Sequence, residues 1–279
     1  MMNRQPEQRR LDLRRSFNQV AALYDRARPV YPTAVVDAIV RCADIQPESI
    51  MLEIGCGSGQ LTVPLAAHGA SITALELGSH LAALASQRTA RFPSVQVIQA
   101  DFDRWPIPRA AFHVVVAATS FHWLDPDTRL TRCLDALRPD GALVIVETHW
   151  SAGSGTDAFF MARQDCYAQW DPNHDPDFFP TTPEAMSTRN QELEASKAFG
   201  EVRVQDFVHE REYTTAQYCA LLVSAAAYCV RLRSAAAKNA TPLCGSPPSS
   251  LIGAPISIRA MSSIFQRHAD WRAILQWLP

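Results

Sequence analysis

Glu53-Ile-Gly55-Cys-Gly57-Ser-Gly59-Gln60 sets three glycines on alternate positions directly after a short apolar run, and this narrows the fold more than any other segment. Alternate glycines let the backbone turn sharply and let a ligand approach with no Cβ in the way. The run before them, Ile50–Gly55, is one of five. Ser71–Glu76, Val95–Gln99, His113–Ala118 and Ala142–Glu147 are also short, mostly apolar and bounded by turn residues, which predicts buried strands. Helical patterns lie between them. Leu61–His68 is closed by Gly69, Ser79–Arg91 has Ser79 as an N-cap and stops at Pro93, and Thr128–Leu137 ends before Pro139-Asp140-Gly141. Strand–helix alternation predicts an α/β fold, a doubly wound, mostly parallel sheet with helices on both faces.

Ligands of such sheets bind outside the carboxyl ends of the strands, so the residues ending each run carry the chemistry. Glu53, two places before the first glycine, suits a ligand bearing an ammonium group. The helix after the glycines offers unpaired N–H groups to a carboxylate or phosphate. Glu76 ends the second run, where a carboxylate can accept both hydroxyls of a ribose. Asp101 and Phe102 end the third. The acid can accept from an adenine amino group while the ring packs on the base. Thr119, Phe121, His122 and Trp123 follow the fourth run and are expected at the mouth of the cleft. Gln60 stands where the dinucleotide fingerprint G-x-G-x-x-G has a glycine, which disfavours a nicotinamide-dependent oxidoreductase.

Taken together, EIGCGSGQLT, the ALEL strand end, QADF and ATSFHWLDP resemble the class I S-adenosylmethionine-dependent methyltransferases, whose fold is Rossmann-like. The upstream YDRARPVYP is similar to the type 11, trans-aconitate methyltransferase-like branch. The resemblance covers roughly residues 16–220. It implies S-adenosyl-L-methionine as cofactor, with Glu53, Gly55, Gly57 and Gly59 around the methionyl part, Glu76 on the ribose, and Asp101 and Phe102 on the adenine. It also implies an N-terminal lid closed by Tyr24 and Arg28, with Arg28 facing the cofactor carboxylate. The implied reaction is in-line displacement at a sulfonium methyl, to which a protein contributes alignment and exclusion of water. A carboxylate acceptor needs no general base. A hydroxyl acceptor benefits from one, for which His122 comes first and His149 second.

Composition bounds the alternatives. The 279 residues carry 26 basic and 28 acidic side chains, a net charge of −2, which argues against gripping nucleic acid by counterion release. An RNA methyltransferase is disfavoured further because ATSFHWLDP stands where an Asn-Pro-Pro-aromatic segment would be. No apolar run reaches the roughly 18–20 residues of a membrane span, and the polar, Arg-rich start has no signal-peptide h-region. Seven cysteines without a Cys-x-x-Cys pair read as small apolar residues in a reducing cytosol. The expectation is a cytoplasmic enzyme acting on a small-molecule acceptor, with no membrane or nucleic-acid partner. Cys56 reads as a packing residue. His174 lies among Asp171, Asp175 and Asp177 without a second nearby histidine, so no metal site is expected.

The near-neutral total conceals two unlike parts. Residues 1–212 hold 27 acidic and 20 basic groups, whereas 213–279 hold one and six. The expected organisation is therefore N-terminal lid helices over 1–45 (Arg9–Asp25 and Thr33–Cys42), a methyltransferase domain over 46–222 whose aromatic-rich segment 150–198, with a helix over Asp157–Trp170, caps the substrate, and an atypical basic tail over 223–279. That tail contains TPLCGSPPSSLIGAP and does not match the charged helix and last strand of similar proteins. A change of reading frame near 223–230 would account for it. The chain would then be a cofactor binder with impaired catalysis and an incomplete antiparallel strand pair, partly outside the fold. Ile256–Ile264 is the segment best suited to supply a substitute strand.

Overall fold

The computed structural model describes residues 4–151, 191–196, 202–224 and 256–268. The five expected runs form β1 (Ile50–Ile54), β2 (Ser71–Glu76), β3 (Val95–Gln99), β4 (Phe112–Ala118) and β5 (Leu137–Ser151). They pair in parallel in the order β3-β2-β1-β4-β5. Alternate residues face opposite ways. Met51, Ile72, Val114, Val116 and Val144 enter one buried cluster, and Leu52, Ile54, Leu75, Val115 and Ile145 enter the other. Burial on both faces explains why these strands read as continuous apolar runs rather than alternating ones. Strand order reverses between β1 and β4, so their carboxyl ends flank the crevice where such sheets take ligands.

The helices are α1 (Arg4–Gln19), α2 (Ala21–Ala27), α3 (Thr33–Cys42), α4 (Thr62–Ala66), α5 (Ser79–Thr89) and α6 (Arg129–Ala136). Helix α3 matches its expected span, with Val35, Val36 and Ile39 buried on one face. Three expectations are corrected. The single helix read over Arg9–Asp25 breaks at Val20, whose φ of −119° leaves the helical region. Gly78 rather than Ser79 is the N-cap of α5, since the Gly78 N–H is held by Glu76 Oε1 at 2.8 Å. Helix α6 ends at Ala136, before Pro139-Asp140-Gly141 as expected, but the strand expected from Ala142 begins at Leu137 and takes in that turn. The register shifts there between Phe112 and Val114, Asp140 takes φ +63°, and a Cβ at Gly141 would meet Arg138 O at 2.9 Å. The extra residues are absorbed as a bulge.

Beyond β5 lie a short helix Gln191–Ala195, β6 (Val202–Tyr213), a helix Thr215–Ser224 and β7 (Ile256–His268). The sheet continues in the order β5-β7-β6, so the basic tail does contribute a strand. The helix expected over Asp157–Trp170, the aromatic cap residues and His174 lie outside the described residues. The chain divides into two compact units. One comprises Met1–Arg28, His149–Met186 and Val208–Met261, and the other Pro29–Thr148, Ser187–Phe207 and Ser262–Pro279. In the first, Ala27, Tyr213, Tyr218 and Leu221 form a small buried cluster. The second contains β1–β4 and most of β5. Among the described residues no helix is long and apolar enough to cross a membrane.

Candidate functional site

The glycine turn is built by backbone alone. Gly55 and Cys56 N–H both donate to Leu75 O at the end of β2, at 2.9 and 3.0 Å, and Gly59 N–H donates to Cys56 O at 2.9 Å. Gly55, Gly57 and Gly59 take φ values of +71°, +60° and +88°, the left-handed region that a side chain disfavours. Gly55 has a second reason to be glycine, because a Cβ there would lie 2.7 Å from Ser120 Cβ. Ser120 Oγ in turn donates to Ile54 O at 2.5 Å. The ends of β1 and β4 are thus joined across the crevice. Helix α4, which follows, has only five residues, too short for the dipole contribution expected of it.

Glu76 accepts from the Gly57 N–H at Oε2, 2.9 Å, and from the Gly78 N–H at Oε1, 2.8 Å. The carboxylate expected at the ribose therefore also ties the glycine turn to the loop after β2. Two N–H donors take about half of a carboxylate's acceptor positions. Sequence reading missed this anchoring role, although Gly78 two residues downstream is its trace.

Glu53 is 2% exposed. Burial pushes its carboxyl up to about 7; the adjacent Thr62 hydroxyl draws it down and the Glu76 charge adds a further push upward. The Thr62 contact falls short of ordinary hydrogen-bond geometry, and Glu53 Oε2, Thr62 Oγ1 and Gln60 Nε2 are all buried without a hydrogen-bond partner. Buried polar atoms are rarely left so. Three of them around one glycine turn fit a polar ligand that carries an ammonium group and acceptor atoms. Cys56 is buried beside them, and burial first, then the Glu53 and Glu76 charges, push its thiol well above its ordinary range. That agrees with a packing role and not a nucleophilic one.

At the end of β3, half-buried Asp101 accepts the Asp103 N–H at Oδ1, 3.2 Å. Phe102 is 2% exposed and its ring lies in the core with Leu75 and Phe121. The ring is core packing here rather than a crevice wall, and Arg132 holds the strand end by donating to Phe102 O and Trp105 O. At the end of β4, Thr119 takes φ +54°, its N–H donates to Val146 O at 2.7 Å, and its Oγ1 bonds Tyr31 OH at 2.9 Å. Phe121–Trp123 forms a 3₁₀ turn. His122 is exposed there, its ring 4.7 Å from that of Trp123. Arg129 braces the turn by donating to Phe121 O at 3.1 Å, and it pairs with Glu192. Tyr31, Ser120 and Arg129 were not singled out from sequence, since nothing local marks a cross-element contact.

Tyr24 and Arg28 lie in the first unit. The Arg28 guanidinium carbon is 5.1 Å from the Tyr24 ring centroid, and Arg28 Nε is buried without a hydrogen-bond partner. The Tyr213 hydroxyl is pushed up by burial and drawn down by Arg211 and Arg28. His149 is exposed at the start of the second segment of that unit. Among the described residues no group of three or more His, Cys, Asp or Glu side chains is arranged to hold a metal ion.

Residues 52–145 match the family described as a methyltransferase domain, of type 11. An uncharacterized methyltransferase of Mycobacterium bovis is 26% identical over 137 residues, 49% of this chain and 54% of that protein. A ribosomal RNA small subunit methyltransferase A of Thermotoga maritima is 37% identical over 68 residues, 24% of each chain. A malonyl-[acyl-carrier protein] O-methyltransferase of Halalkalibacterium halodurans is 31% identical over 142 residues, 47% of this chain and 52% of that protein. The chain thus spans about half the length, or less, of these curated relatives. A solved structure from Anaeromyxobacter dehalogenans, provisionally described as a type II methyltransferase, shares the fold with a TM-score of 0.57 at 21% identity, covering 87% of this chain and 97% of that one. The matched segment starts on β1 and ends inside β5, so it takes in the carboxyl ends of β1, β2, β3 and β4; over residues 52–145 the chain is similar to methyltransferase domains of type 11.

Proposed function

We propose that this chain transfers a methyl group from S-adenosyl-L-methionine to a carboxylate or hydroxyl oxygen of a small molecule. The observation that carries the reading is the glycine turn at the switch point with the buried, unpaired Glu53 Oε2 and Gln60 Nε2 beside it. Gly55, Gly57 and Gly59 would admit the methionyl part, Glu53 its ammonium group and Gln60 its carboxylate. Glu76 would accept from the ribose hydroxyls while keeping its hold on Gly57, and Asp101 would accept from the adenine amino group. Phe102 would serve by keeping the β3 end in place. Tyr24 and Arg28 would act as lid residues, with Thr119 at the mouth.

The bound cofactor supplies a methyl group on a positively charged sulfur, already a good leaving group. What the protein adds is alignment of the acceptor oxygen and a dry site. For a hydroxyl acceptor, His122 would take the proton; a carboxylate would need no base. The relative named an O-methyltransferase supports an oxygen acceptor. The trans-aconitate-like branch rests on YDRARPVYP together with FHWLDP. Isothermal titration with S-adenosyl-L-methionine tests the cofactor: no saturable heat at millimolar concentration would sink the reading. Methyl transfer to a panel of carboxylic acids, phenols and amines then tests the acceptor.

The RNA-directed relative favours a second reading, methylation of RNA. Its match covers only about a quarter of each chain, and the net charge of −2 offers little to phosphates. A salt-dependent gel shift with ribosomal RNA would revive it. A third reading, a cofactor binder with impaired catalysis, would appear as saturable cofactor heat with no turnover on any acceptor.

A further inference from the structure

Thr119 is a β-branched residue in the left-handed region, at φ +54°. Such residues enter that region rarely and at a cost, and persist only where the surroundings over-determine them. Three contacts do so here. The Thr119 N–H is held by Val146 O of β5 at 2.7 Å. The next residue, Ser120, is pinned to Ile54 O at 2.5 Å. The Thr119 hydroxyl is held by Tyr31 OH at 2.9 Å, across 88 residues of sequence. Tyr31 is itself firmly seated. Its ring packs against the core cluster that contains Val35 and Ile39, and Pro32, the N-cap of α3, follows immediately, its O accepting from Val35 N–H at 2.9 Å.

The consequence reaches the glycine turn. Ser120 Cβ occupies the place a side chain at Gly55 would need, with only 2.7 Å between them. A change in the Thr119 backbone would swing Ser120, and Ser120 is the wall against which Gly55 is packed. We infer that Tyr31 is a positioning residue, whose hydroxyl holds Thr119 in its left-handed conformation and thereby sets the spacing between the β4 end and the glycine turn that receives the cofactor. The inference rests on the proposed cofactor reading and adds to it a residue with no direct contact to the ligand.

The test is the Kd of S-adenosylhomocysteine measured by isothermal titration on the full chain, alongside thermal denaturation. Tyr31→Phe keeps the ring and its packing and removes only the hydroxyl. It is expected to weaken binding about threefold to tenfold, the loss typical of one neutral hydrogen bond. Thr119→Gly, which adopts the left-handed region without help, is expected to make Tyr31→Phe silent, so that the double variant binds like Thr119→Gly alone. Should Thr119→Gly unfold, Thr119→Asn takes its place, because asparagine also tolerates that region. Failure of the wild type to bind would overturn the cofactor reading. Wild-type binding with an unchanged Kd in Tyr31→Phe would overturn this inference alone, whatever the melting temperature does. A Tyr31→Phe loss of equal size in the Thr119→Gly background would also overturn it, by showing direct contact with the ligand.

Discussion

The carboxylate of Glu76 accepts the backbone N–H of Gly57 at 2.9 Å, so the acid that ends β2 and the central glycine of the turn after β1 form one unit. A strand end suited to a ribose is therefore also the clamp on the loop that would receive the rest of the ligand. Its second oxygen holds Gly78 in the same way.

Replacing Glu76 should disturb two things together. Glu76→Gln puts an amide NH₂ against one of two N–H donors and leaves it without an acceptor, a cost of about 1–3 kcal/mol. Thermal denaturation should show the loss in the absence of any ligand, and titration should show cofactor affinity reduced by tenfold or more. An unchanged melting temperature would remove the clamp from this account.

Glu53 links stability to pH. Its folded pKa is raised from 4.5 to about 7, so between those values the folded state holds a proton that the unfolded chain has lost. Its contribution to stability is then fully present below about pH 4.5 and is lost as pH rises to about 7. Denaturant titrations across that window should show the decline, and Glu53→Gln should flatten it. Binding of an ammonium-bearing cofactor should ionise Glu53 and release a proton near pH 6, visible as a buffer-dependent heat.

At Gly55 the steric and conformational costs can be separated. Gly55→Ala at φ +71° meets a left-handed penalty of about 1–2 kcal/mol, and the 2.7 Å approach to Ser120 Cβ adds overpacking of about 1–3 kcal/mol. Pairing Gly55→Ala with Ser120→Gly should recover the steric share and leave the backbone share. Equal losses in both backgrounds would contradict the close approach.

Arg129 should separate turnover from cofactor binding. It donates to Phe121 O, stacks 4.5 Å from the Phe121 ring centroid and pairs with Glu192, so it braces the 3₁₀ turn that carries His122. Arg129→Met should lower kcat several-fold while changing the S-adenosylhomocysteine Kd less than twofold. A parallel loss in both would mean that the turn also shapes the cofactor side.

Much of the fold was legible in the sequence. Buried parallel strands have apolar runs too short and too punctuated to be helices, and β2 and β3 fall on their expected bounds. The positive φ values at Gly55, Gly57 and Gly59 match what alternate glycines announce. Less legible were features that a neighbour in space decides. The fifth strand reads as starting at Ala142, yet pairing with β4 draws Pro139-Asp140-Gly141 into a bulged strand that begins at Leu137. Phe102 reads as a crevice wall, yet its ring finds the core.

By itself the sequence determined the order of strands and helices, the turn after β1 and the acids at the strand ends, because periodicity and glycine act within a few residues of chain. Only the tertiary structure decided which of those groups meet. The Glu53 carboxyl is pushed up to about 7 by burial, Glu76 is committed to Gly57, and Thr119 is held by a tyrosine far away in sequence. Each depends on desolvation or on a contact between distant elements, and neither is written in the residues next door.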